Sequence, residues 1–118
     1  MRPDAEDLKS LWDMLDASRG VAELVRGVSL PEYAGNRGLQ WAVERGIEII
    51  GEAARRVSPA FREQHPDVPW SAVIATRHIL AHEYDDVQHD KVWRIATKHI
   101  PALAAVIEPI LNRYPPGE

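Results

Sequence analysis

Apolar residues in this 118-residue chain return every three or four positions, and nowhere do they alternate one by one. Such spacing gives one buried stripe on a helix and cannot line one face of a strand, so the chain must pack helix on helix. Four long stretches carry the pattern. Asp4 to Gly27 holds Leu8, Leu11, Trp12, Leu15, Ala22 and Val25, with Glu6, Asp7, Lys9, Asp13, Asp16 and Glu23 on the other side. Asn36 to Val57 holds Leu39, Ala42, Val43, Ile49, Ile50, Ala53 and Val57, and its Gly46 and Gly51 suggest close approach of another helix. A third helix opens at Pro69-Trp70, turns Val73, Ile74, Ile79 and Leu80 inward, and is expected to end between Tyr84 and Val87. The last stripe runs through Val92, Trp93, Ala96, Ile100, Leu103, Val106, Ile107, Ile110 and Leu111.

Punctuation residues divide these stretches. Gly27 is a stop signal, and Ser29 to Gly38, with Pro31, Gly35 and Gly38, reads as a connection. Ser58-Pro59 restarts the chain as one short helix to His65, because serine caps a helix and proline suits its first position. Pro66 to Pro69 is a turn, and Asp90 is placed to cap the final helix. Pro101 should kink or split that helix, Pro109 should disturb its end, and Tyr114 to Glu118 reads as a frayed tail. The expected fold is one all-α domain over residues 1–118, an up-and-down bundle of four to five helices.

Composition narrows the chemistry. With no cysteine, disulfides, zinc–thiolate sites and thiol nucleophiles are excluded, which suits a cytoplasmic location. No apolar run is long enough for a membrane span, and Met1 to Ser10 is too charged for a signal peptide. A net charge of -4 argues against coating nucleic acid by charge alone, while leaving room for a local basic cleft.

One stretch carries more polar groups than a core helix needs: Arg77-His78-Ile79-Leu80-Ala81-His82-Glu83-Tyr84. Arg77 and His82 are about 140° apart on an ideal helix, so either the arginine's reach or a loosened helix must bring them together. Arg77 shares a face with Tyr84, and His78 with His82. An imidazole moves protons near neutral pH and a guanidinium grips phosphate oxygens. Together they suffice for RNA cleavage without a metal. His82 would take the proton from a ribose 2′-hydroxyl, and Arg77 would stabilise the more negative transition state. One such pair is sparse for both acid and base, and a two-fold homodimer would supply a second.

Other readings fit the same residues. The Arg–His pair could serve a hydrogen-bonded core or an interface network. His78 and His82 could hold a divalent metal, although no His-Glu-x-x-His arrangement or acidic ligand set accompanies them. Trp12, Trp41, Trp70 and Trp93 read as core or interface anchors rather than stacking platforms, and His65, His89 and His99 as isolated surface residues. Arg45, Arg55, Arg56 and Arg62 form either a solvated face or a guide for RNA.

Arg77-His78-x-x-x-His82-x-Tyr84 resembles the Arg-x4-His-x-Tyr signature of HepT-like toxins in the HEPN superfamily of helical proteins. Ile50-Gly51-Glu52-Ala53-Ala54, His65-Pro66-Asp67-Val68-Pro69-Trp70 and Val92-Trp93 look like that family's segments in the same order, so the resemblance covers Leu39 to Leu111. It implies a homodimeric toxin ribonuclease of a type VII-like toxin–antitoxin module, needing no cofactor. Arg77 and His82 would be its catalytic pair. Tyr84 would be the residue to which an MntA-type nucleotidyltransferase antitoxin attaches AMP from ATP, placing phosphate and bulk at the mouth of an RNA site. Many relatives carry asparagine after the arginine, where this chain has His78, a candidate assisting group. Glu52 matches a family position and could partner a buried basic group. Two alternatives stand beside this reading: a non-catalytic module presenting RNA or substrate to such a nucleotidyltransferase, and a purely structural helical dimer.

Overall fold

The fold is that of a computed structural model, which describes residues 3–81 and 89–115. Every regular element among the described residues is helical, as the periodicity requires. Helix α1 (Ala5–Val25) begins where the Asp4 carboxylate accepts the Glu6 amide at 2.8 Å. Its exit runs through Gly27, whose φ of 71° is the left-handed conformation that a side chain would resist. Helix α3 (Arg37–Arg56) starts at Asn36, which accepts the Leu39 amide, and α4 (Pro59–Gln64) starts at Ser58, which accepts that of Phe61.

The connection from Ser29 to Gly38 is not plain loop. It contains α2 (Leu30–Ala34), one turn closed by a reciprocal capping box between Ser29 and Glu32. Both hydrogen bonds from Ser29 hold the Glu32 carboxyl below its ordinary range, the backbone one more strongly.

Helix α5 (Trp70–Ala81) lies on α3. Its expected end, between Tyr84 and Val87, lies outside the described residues. Helix α6 (His89–Arg94) has Asp90 within its first turn rather than before it. The chain then passes without a break through a π-helical stretch, Ile95–His99, into α7 (Ile100–Asn112). Pro101 thus neither splits nor ends the rod. Proline cannot donate to the carbonyl four residues back and crowds it, and the helix meets that demand by widening just before it, the Ile100 amide reaching back to Ile95. Pro109 leaves α7 helical to Asn112, because it and Ala105, the residue whose carbonyl it orphans, both face water. Tyr114 is half-buried against the core, its amide donating to Leu111, so the tail is held at least that far.

Four rods result, with α1 packed against both α3 and α7, and α5 against α3. α1 and α3 approach closely at Gly46, where a Cβ would run into Cγ2 of the buried Val21. Gly51 is also buried. The core holds Leu11, Met14, Leu15, Val21, Val43, Ile47, Ile50, Ile107 and Leu111. Four residues depart from the expected faces, the small Ala42 among them, which is exposed. Trp12 and Ile49 stand partly in water, and Trp41 is 65% exposed. Conversely, Asp7 is buried and ties α1 to α4, accepting the Ser58 amide at 2.8 Å and its hydroxyl at 2.6 Å.

Candidate active site

The start of α5 is pinned from below. Trp70 is buried, donates its indole N–H to the His65 carbonyl at 3.0 Å, and meets Phe61 edge-on at 6.4 Å. His65 lies against Phe61 at 4.4 Å between ring centroids, so it is a packing residue and not an isolated surface one. The Val73 amide donates to Pro69 and the Thr76 hydroxyl to Val73, so the first turns are fully tied. Val73 is buried and Leu80 half-buried against the core, which fixes the helix on which Arg77 and His78 stand. The backbone of these two residues belongs to the last turns of α5. His82 and Tyr84 lie outside the described residues.

The chain re-enters the description at His89, and the surroundings there are informative. The His89 ring stands edge-on to buried Tyr33 of α2, with centroids 6.2 Å apart. Its charge also reaches Glu44 of α3. Burial pushes the Glu44 carboxyl above the ordinary range, and charge on His89 opposes that rise. Gln40, one turn earlier on α3, donates its amide to the carbonyls of Tyr33 at 2.8 Å and Ala34 at 3.0 Å. Helix α5 is described to Ala81, and the described chain resumes at His89 beside Tyr33 of α2. His89 is thus half-buried and engaged, not an isolated surface group.

Nothing in the sequence pointed to the Glu44–His89–Tyr33 grouping. Its members are far apart along the chain, and only the direction in which α6 leaves brings them together. The remaining candidates sort by environment. Arg55 and Arg56 are exposed at the end of α3. Arg62 is not a free RNA guide: its guanidinium donates to the carbonyls of Val57 at 3.0 Å, Ala54 at 3.3 Å and Arg55 at 2.9 Å, closing the C-terminus of α3. Arg45 pairs with Glu48 at 3.2 Å on the open face of α3. Glu52 is half-buried. Between α5 and α7 runs an apolar groove of about 500 Å³ over Ile47 and Ile50, walled by Val73 and Thr76 on one side and Ile95, Leu103 and Val106 on the other. His99 is exposed at its edge. Among the described residues no three His, Asp or Glu side chains converge as a metal site would need, and no helix is long and apolar enough to cross a membrane.

A small helical bundle carrying Arg77 and His78 in the last turns of one helix is the class of protein that the fold defines. The ribonuclease HepT-like family matches residues 14–110, and the chain belongs to that family. A Methanocaldococcus jannaschii protein bearing a provisional RNase name is 34% identical over 103 residues, covering 86% of this chain and 94% of its own length. A similarly named protein of Caldanaerobacter subterraneus is 36% identical, covering 87% of this chain and 92% of its own. One from Thermococcus cleftensis, named probable ribonuclease HepT, is 31% identical, covering 83% and 89%. No solved structure matches the chain significantly. Membership makes this chain a ribonuclease at the level of its family.

Proposed function

We propose that this protein is the toxin of a type VII-like toxin–antitoxin module, an endoribonuclease that cuts RNA without a metal. The observation that carries the proposal is Arg77-x4-His82-x-Tyr84 in a chain of the HepT-like family, beginning on α5 where that helix is anchored to α3. His82 removes the 2′-hydroxyl proton, and the oxygen attacks the adjacent phosphorus. The bond to the 5′-oxygen then breaks, and that oxygen is reprotonated by the second imidazole of a homodimer or by His78. Arg77 holds the non-bridging oxygens as charge builds on them. A cyclic 2′,3′-phosphate and a free 5′-hydroxyl are the products.

Control comes from an MntA-type nucleotidyltransferase antitoxin. The Tyr84 oxygen bonds to the α-phosphorus of ATP, pyrophosphate leaves, and the attached AMP puts a negative charge where RNA phosphate would bind. The test is cleavage of RNA in a chelator by wild type, Arg77→Ala and His82→Ala, with melting followed in parallel. Wild type should cut, and both variants should lose at least about 100-fold in rate, the general acid–base scale, while still folding. Full activity in both variants would remove the mechanism. Correctly folded wild type that binds RNA without cutting it would favour the presenting module instead.

A further inference from the structure

We infer that Arg37, Trp41 and Arg45 on the open face of α3 form a stacking subsite for single-stranded RNA, an inference that rests on the RNA-cutting reading above. Trp41 is 65% exposed, the most exposed large apolar side chain on the described surface. A single exposed ring is ordinary on a folded domain, and what sets this one apart is the guanidinium beside it. The Arg37 guanidinium already lies 6.0 Å from its ring centroid and makes no ion pair among the described residues. Arg37, Trp41 and Arg45 follow one another at spacings of four, so they form one ridge on the helix surface. A cation, an aromatic plane and a second cation in line are what a flexible polynucleotide needs: the base lies on the ring and the flanking phosphates meet the guanidiniums. Of the acidic groups nearby, Glu48 pairs with Arg45 in an exposed contact weak enough for a phosphate to displace, and charge on His89 acts on Glu44.

Position ties the ridge to the candidate site. Trp41 is one turn before Glu44, about 60° around the helix from it. Charge on His89 acts on Glu44 in turn, and His89 is the first described residue after the stretch carrying His82 and Tyr84. RNA is favoured over a protein partner because the ring is flanked by guanidiniums rather than aliphatic groups. The other exposed apolar groups, Leu24 of α1 and Ile49 of α3, lie in a shallow groove between the two helices that Arg45 borders together with Asp13 and Asp16.

The test is binding of a short labelled oligouridine to His82→Ala protein, so that the RNA survives, with and without changes at Trp41. Trp41→Ala should weaken binding roughly 5- to 100-fold, the scale of one lost base stack. Trp41→Phe should restore most of it, and Arg37→Ala should weaken it while flattening the salt dependence. With His82 intact, Trp41→Ala should raise KM and leave kcat near wild type. Unchanged RNA affinity in Trp41→Ala would overturn the subsite, as would an altered oligomeric mass with affinity retained, which would make this face a protein interface. If wild type cuts RNA and Trp41→Ala binds as before, only the subsite falls. If wild type neither binds nor cuts, the nuclease reading falls and the subsite with it.

Discussion

Gly46 and Gly20 look equivalent by composition, yet space around them predicts opposite effects of the same substitution. Alanine gains up to about 1 kcal/mol over glycine in helix propensity. At Gly20 nothing lies within 4 Å of a new Cβ, so Gly20→Ala should stabilise by most of that gain. At Gly46 the Cβ meets Val21, which is fully buried and stiff at χ1, so α1 and α3 must separate. Overpacking of this kind costs roughly 1–3 kcal/mol and outweighs the propensity term. Urea unfolding of the two variants should place them on opposite sides of wild type. Glu44 predicts a dependence on pH. Its carboxyl is raised on folding, so the folded state holds the proton more tightly than the unfolded chain does. The contribution is present below the ordinary glutamate pKa and is lost as pH rises through the folded value. Glu44→Gln should therefore raise the melting temperature at neutral pH by a few degrees at most, since solvent screens a half-exposed group, and leave it unchanged in acid.

At the scale of helices, Arg62 separates two roles that the sequence could not. With Arg45, Arg55 and Arg56 it reads as one basic group, but its three hydrogen bonds close α3. Arg62→Ala should cost roughly 1–2 kcal/mol, because charged donors are removed from carbonyls that only partly regain water. It should leave RNA affinity per folded molecule unchanged, which melting and binding on one sample would establish together. Helices were legible because their stripes are long: α1, α3, α4 and the α6–α7 rod lie close to where their caps and spacings put them. α2 was obscured by Pro31, Gly35 and Gly38, although Ser29 and Glu32 already spelled its capping box. The π-helical stretch before Pro101 was not legible, since sequence marks where a helix is stressed and not how the backbone relieves it. Trp41 could have been placed outside: it sits on the far side of α3 from Val43, Ile47 and Ile50, the face that is buried. For the candidate site, sequence supplied Arg77 and His78 on their helix, while Glu44, His89 and Tyr33 needed the fold.

The proposed mechanism makes a demand on the whole molecule that no single-chain variant can probe. A single Arg–His pair must serve proton removal, charge stabilisation and proton return. If two chains of 13.3 kDa line one cleft, these duties are divided between copies. Arg77→Ala and His82→Ala protein, each inactive alone, then carry complementary defects. On mixing equal amounts under conditions that allow exchange, about half of the dimers pair one variant with the other, and each such dimer holds one intact arginine and one intact histidine. With His78 returning the proton, the mixture should recover cleavage that neither component shows, and activity per chain should fall on dilution as dimers separate. Refolding the two variants together from denaturant guarantees exchange, and a mass measurement confirms that mixed dimers have formed. Mixed dimers without cleavage would mean either that proton return needs a second His82 or that each chain must supply both groups to its own phosphate. In the second case the homodimer would be support for two separate sites rather than the wall of a shared one.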